Sequence, residues 1–183
     1  APKSSPFVQD DPVHGVPMTE RTEFRVLYDD KALYLGFWCF DSEPNKILAR
    51  TMSRDDWPDA DDFLIISIDP FLDRRNGYMF AVNPNGSRFD AIINNNAYAG
   101  SSWDTIWDCR GKVTNEGWFC EFKLPFDSIA FAPNNTTWGF NVERTIRRKN
   151  EDGKWHNEGR HLRTSAMANA GEIRGLKDFG KVS

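Results

Sequence analysis

At 183 residues, with 39% hydrophobic and 14% aromatic content, the chain is long and apolar enough to fold around one core without covalent staples. A net charge of −4, with both signs interspersed, excludes nucleic acid as a main partner, because binding a polyanion needs a concentrated basic face. No run approaches the about 20 apolar residues of a membrane helix, so the chain is not expected to span a bilayer in that way.

Residues 1–20 are polar and carry Pro2, Pro6, Pro12 and Pro17, which predicts an extended arm on the surface. From Thr22 to Tyr28 apolar residues alternate, with Phe24, Val26 and Tyr28 on one face of a strand. Leu33 to Phe40 (LYLGFWCF) is apolar on both faces, as in a central strand or one whose outer face is covered. Residues 47–56 fit either a helical turn or a strand, and a carboxylate-rich loop follows to Asp62.

Three strands then come in succession: Asp62 to Asp69, Tyr78 to Val82, and Ser87 to Ile93. Asn83-Pro84-Asn85-Gly86 between the last two is a hairpin turn, because Asn and Gly tolerate the positive φ that it needs. A polar loop from Asn94 to Ser102 carries Tyr98 and leads through Trp103 and Trp107 into a strand ending near Val113. Asn115-Glu116-Gly117 is a second hairpin turn. The strand after it faces Trp118, Cys120, Phe122 and Leu124 inward. Residues 125–129 read as one helical turn and Trp138 to Arg147 as the last long strand. Arg144, Arg147, Arg148 and Lys149 read as a solvated strand end, residues 149–159 as a polar loop, and the remainder as a weakly patterned tail. About eight short strands with turn chemistry between them predict one domain over residues 1–183: an all-β antiparallel β-sandwich, jelly-roll or immunoglobulin-like, with short helical turns.

Catalytic patterns are weak. His14, His156 and His161 lie in polar stretches with no activated nucleophile nearby, and the spacing of the acids selects no pair for glycoside hydrolysis. The expectation is a protein that is not an enzyme. Cys39, Cys109 and Cys120 match no zinc motif. They read as small buried hydrophobes, with one disulfide as the alternative. Asp59, Asp61, Asp62, Asp69 and Asp73 are hard oxygen donors of the type calcium takes, without the spacing of an EF-hand.

Trp57, Trp103, Trp107 and Trp155 stand in or beside polar loops, unlike Trp38, Trp118 and Trp138, which fit strands. A loop Trp either plugs an end of the sandwich or offers a flat apolar face with hydrogen-bonding neighbours, which is what a sugar ring requires. Covering about 100 Å² of such a face is worth ~2.5 kcal/mol, whereas a millimolar complex needs ~4 kcal/mol beyond the costs of association. One platform is therefore too little. Trp57, Trp103 and Trp107 are the candidate stacking residues, with Arg54, Asn83, Asn94 and Asn96 as polar partners and Asp62 and Arg144 as further candidates by position.

The segments TEFRVLYDDKALYLGFWCFDSEPNKI, DDFLIISIDPFLDRRNGYMFAVNPNGSRFDAII, WDTIWDCRGKVTNEGWFCEFKLPFDSIAF and WGFNVERTIRRKNE, in that order, resemble the family 9 carbohydrate-binding module. The resemblance runs from about Phe7 to Ser183 and is nearest to modules N-terminal to bacterial outer-membrane barrel-like domains. The short opening strand with Asp-Gly and Trp that is usual in the family is missing or cut off here. The resemblance implies a DOMON-like sandwich, an exported bacterial protein, binding of a β-glucan or xylan type saccharide, and structural calcium with Asp61 and Asp62 as donors. It leaves two alternatives. One is an interaction domain of the periplasm or cell surface, tethered to an outer-membrane barrel and without glycan affinity. The other is a haem-binding DOMON-like domain, for which Met52 and Met79 are the available axial ligands.

Overall fold

A computed structural model describes residues 3–100, 102–159 and 162–179, so that His161 lies outside the described residues. It is a sandwich of two antiparallel sheets. The larger runs β1 (Val8–Asp11), β11 (Glu151–Lys154), β10 (Thr137–Ile146), β4 (Phe63–Asp69), β5 (Gly77–Val82), β6 (Arg88–Asn94), β7 (Ala97–Tyr98). A twelfth strand, β12 (Gly171–Arg174), pairs with the first half of β10, and β11 pairs with its second half. The smaller sheet runs β2 (Thr22–Tyr28), β3 (Ala32–Phe40), β9 (Gly117–Pro125), β8 (Asp108–Thr114). Among the described residues no helix is long and apolar enough to cross a membrane.

The alternation of each strand decides what the sandwich buries. Phe24, Leu35 and Phe37 from one sheet meet Leu64, Ile66, Phe80, Phe140 and Val142 from the other, and Trp118, Cys120, Phe122 and Leu124 all point inward as their spacing requires. Every residue of β4 is buried. Its inner side chains belong to the main core, while Phe63 and Ile65 join Met79, Ala81, Phe89, Ala91 and Ile93 in a second apolar cluster on the outer face of the larger sheet. Met167 and Ala170, from the segment before β12, cap that cluster. The doubly apolar β3 has another solution. Trp38 and Phe40 lie on the outside of the smaller sheet, half-buried beneath the guanidinium groups of Arg25 and Arg21, the latter 3.9 Å from the Phe40 ring centre.

Four expectations are corrected here. The Pro-rich start is not merely a surface arm: β1 completes an edge of the larger sheet and Phe7 is buried in the main core. Residues 149–159 contain β11, whose Glu151 and Lys154 are buried among ion pairs and hydrogen bonds rather than solvated. In the tail, β12 pairs with β10, and Leu176 and Phe179 reach the core. The basic cluster is not a solvated strand end. Arg144 is fully buried, and Arg148 pairs with Asp41 at 2.6 Å and with Glu20 at 3.3 Å.

The turn between β5 and β6 follows its sequence. Asn83 Oδ1 accepts the backbone N–H groups of Asn85 (3.1 Å) and Ser87 (2.9 Å), and Gly86 takes the positive φ of 80°. The turn seats on Gly111 of β8, where a Cβ would collide with the Pro84 carbonyl.

Candidate functional site

Strand register places Lys154, Glu143, Ile65, Ala81 and Phe89 in one row across β11, β10, β4, β5 and β6. The row lies on the outer face of the larger sheet, and its Lys154, Glu143, Ile65 and Phe89 line a cleft of about 750 Å³. One end is aromatic and apolar, with Trp57, Phe89, Tyr98, Met79 and Ile65. The other is polar, with Asp10, Asp11, Glu143, Asp152, Lys154, Arg163, Thr164 and Ser165.

Trp57 and Tyr98 flank Phe89. Trp57 meets the Phe89 ring edge-on at 5.1 Å and Phe63 at 5.5 Å, while Tyr98 lies 6.1 Å from Phe89 at 34°. These contacts fix the two outer rings, and Trp57 keeps 37% and Tyr98 41% of its surface exposed. A clamped aromatic ring with a free face is a stacking platform.

The loop carrying Trp57 has no regular structure, yet its backbone is tied down. Asp61 accepts the N–H groups of Arg50 (2.7 Å) and Thr51 (2.8 Å), the Asp62 N–H donates to Leu48 O (2.8 Å), and the Asp55 N–H donates to Arg88 O (2.8 Å). The Asn83 amide reaches both Thr51 O and Asp61 Oδ2, and the Ser87 hydroxyl donates to Ser53 O at 2.6 Å. The hairpin turn thus holds the loop in place.

At the polar end Lys154 Nζ donates to Asp10 Oδ2 at 2.9 Å and to Leu162 O, and lies 3.9 Å from Glu143. Glu143 also accepts the Thr164 hydroxyl, and Asp152 accepts the Thr145 hydroxyl. Burial pushes the Glu143 carboxyl above the ordinary carboxylate range, with Lys154 and Thr164 opposing the rise only in part. Among the described residues of the lining the acids outnumber the bases, and one of the two bases, Lys154, is committed to Asp10.

Of the residues chosen by sequence for saccharide or calcium binding, the described cleft lining contains Trp57 and none of the others. Trp107 is only 3% exposed and packs against Phe80 and Phe122 in the main core, on the opposite side of the sheet, so it offers no face to a ligand. Trp103, half-buried, stacks on Tyr78 at 4.9 Å on that same side. Both plug the sandwich. Asn83 is fully buried and supports the turn and the Trp57 loop. Arg54 is paired with Asp104 and Thr105 O, bridging two loops. Asn96 accepts the Ala168 N–H at 2.9 Å and so pins the segment that caps the outer cluster. Asn94 is exposed at the end of β6 and is not part of the cleft lining. Arg144 spends its guanidinium on Arg21 O, Thr22 Oγ1 and Phe40 O inside the core.

The calcium donors do not fit a cation. Asp61 and Asp62 are both fully buried. The Asp61 carboxylate is occupied by three N–H donors, whose partial positive charge would face any metal. Asp62 Oδ1 accepts the Arg147 N–H at 2.9 Å, which leaves one free oxygen where calcium takes 6–8. Asp69 and Asp73 hold turn N–H groups in the same way. Among the described residues no group of three His, Cys, Asp or Glu could hold a metal ion. Of the haem candidates, Met79 lies in the cleft floor and Met52 is exposed on the loop.

Sequence reasoning passed over Tyr98, Glu143, Lys154, Asp152 and Asp10. Glu143 was readable, since it alternates with the inward Val142 and Arg144 of β10 and so faces outward. Asp10, Asp152 and Lys154 come from four-residue strands with no apolar alternation to reveal them.

No protein-family model matches the sequence, and no curated protein does. Solved structures do match. A family 9 carbohydrate-binding module from Caldicellulosiruptor kristjanssonii in complex with glucose aligns with a TM-score of 0.64 and 18% identity over 94% of this chain and 83% of its own. The module from that organism in complex with cellotriose aligns with a TM-score of 0.64 and 18% identity, over 100% and 84% of the two chains. A candidate carbohydrate-binding protein from Bacteroides uniformis aligns with a TM-score of 0.72 and 14% identity, over 97% and 86%. The antiparallel sandwich of this chain is the fold of the family 9 carbohydrate-binding modules.

Proposed function

We propose that the chain is a non-catalytic carbohydrate-binding module whose cleft, over the outer face of the larger sheet, takes a neutral saccharide of β-glucan or xylan type. The observation that carries this reading is the exposed, clamped face of Trp57 at the mouth of a 750 Å³ cleft. Trp57 and Tyr98 together supply about twice the ~2.5 kcal/mol of a single platform, and hydrogen bonds from the polar end must supply the remainder that association costs. The carboxylates at the polar end accept hydrogen bonds from sugar hydroxyls, and their excess of negative charge disfavours a uronic-acid chain. A role in binding rather than hydrolysis agrees with the engagement of Glu143 and Asp152 by Thr164, Lys154 and Thr145. The solved neighbours hold glucose and cellotriose, both neutral sugars. Polysaccharide of this kind is met outside the cytoplasm, so the same reading makes the chain an exported one.

Calorimetric titration with cello- and xylo-oligosaccharides, beside oligogalacturonate as a charged control, tests the proposal. Heats with a neutral series, lost in Trp57→Ala, are expected. Silence with every neutral series, or binding unchanged by Trp57→Ala, would overturn it and favour an interaction domain without glycan affinity.

A further inference from the structure

Among the described residues β8 is an edge strand, held in its sheet by β9 alone. In the β8–β9 hairpin Cys109 pairs with Phe122 and Gly111 with Cys120, so the two cysteines are diagonal neighbours on the inward face. Gly111, directly opposite Cys120, puts no side chain between them. The two sulfur atoms lie 2.6 Å apart. Non-bonded carbon atoms already settle at about 3.5–4.0 Å, and sulfur is larger, whereas a disulfide bond is about 2.05 Å long. The fold therefore brings these thiols closer than two unbonded sulfurs rest. Cys39 also lies diagonally from Cys120, across the β3–β9 pair, but the close contact selects Cys109.

We propose that Cys109 and Cys120 form a disulfide that staples the edge strand β8 to β9 and leaves Cys39 as a thiol. Each sulfur loses one proton and one electron as the S–S bond forms. The two electrons and two protons pass to the disulfide of a thiol–disulfide oxidoreductase, which leaves as a dithiol. In the folded chain Cys109 is 7% and Cys120 1% exposed, so the exchange precedes closure of the core. The contact with Cys109 and burial both push the Cys120 thiol up, which makes the packed thiol a poor nucleophile.

The test is a count of alkylated cysteines. The full chain is refolded in a glutathione redox buffer, denatured without reductant, treated with iodoacetamide and weighed. One adduct, on Cys39, is expected, rising to three after dithiothreitol, with a cross-linked peptide joining Cys109 to Cys120. Cys39→Ser is expected to keep that cross-link, and Cys109→Ser to yield two adducts. Reduction is expected to lower the melting temperature by roughly 5–10 °C. Three adducts without reductant, a Cys39–Cys120 link or disulfide-linked dimers would overturn the proposal.

Discussion

The Asn83 amide donates to the Asp61 carboxylate at 2.8 Å, and both side chains are fully buried. This one bond joins the turn of the central hairpin to the loop that presents Trp57. Burial works to raise the Asp61 pKa, but the N–H groups of Arg50 and Thr51 together with Asn83 outweigh it and hold the carboxyl below the usual range. A depressed pKa contributes stability that is present above the unfolded-state value near 3.8 and is lost as pH falls through the folded one. Asp61→Asn turns an amide N–H toward donors and is expected to cost about 2–4 kcal/mol at neutral pH, less in acid, measured by urea denaturation. With Asp61 already satisfied by N–H donors, EDTA is expected to leave the melting temperature unchanged.

Trp57 and Trp107 look alike in sequence and separate cleanly by experiment. Trp57→Ala removes a platform and is expected to weaken saccharide binding by more than about tenfold, with a smaller loss of melting temperature than Trp107→Ala because the ring is 37% exposed. Trp107→Ala empties core volume between Phe80 and Phe122 and is expected to cost about 3–5 kcal/mol, while the folded fraction binds as the parent does. Calorimetry beside thermal melts distinguishes the two patterns.

That contrast shows what was legible. The sheets were, because the short apolar runs LYLGFWCF and DFLIISID and the period-two alternation of WGFNVERTI, bounded by turn residues, mark strands directly. The second apolar cluster was half-legible: β4 and β5 carry apolar residues on both faces, which already called for a cover. Which loop tryptophan faces solvent was not legible. Trp57, Trp103 and Trp107 have the same kind of polar neighbours, and only the path of their loops puts the first on the outer face and the other two against the core. Carboxylate identity was equally silent, since Asp61 reads as a metal donor until its N–H donors are seen.

Glu143 gives the cleft a pH response. Burial raises its pKa above 4.5, so the folded chain holds this proton more tightly than the unfolded one. Stability contributed by the protonated form is then lost as pH rises from about 4.5 through the raised folded value. Glu143→Gln keeps an oxygen for the Thr164 hydroxyl and removes the charge, while Lys154 retains Asp10. The variant is expected to match the parent near pH 4 and to exceed it in melting temperature at pH 7, with a flatter profile between. A steeper profile would show that the Lys154 attraction dominates.

Arg144 is the counterpart on the inner face, and its loss reaches a neighbouring acid. Its guanidinium donates to Arg21 O at 3.1 Å, Thr22 Oγ1 at 3.0 Å and Phe40 O at 2.9 Å, joining β10 to the start of β2 and the end of β3. Burial raises the Asp62 pKa, and the Arg147 N–H and the Arg144 charge restrain the rise. Arg144→Met keeps the volume but strips three acceptors of their donor and removes that charge. It is expected to cost about 3–5 kcal/mol. A raised carboxyl pKa means stability lost with rising pH, so the variant, with Asp62 raised further, is expected to lose stability more steeply above about pH 4 than the parent. Urea midpoints taken across pH test both parts, and parallel curves for variant and parent would separate Asp62 from Arg144.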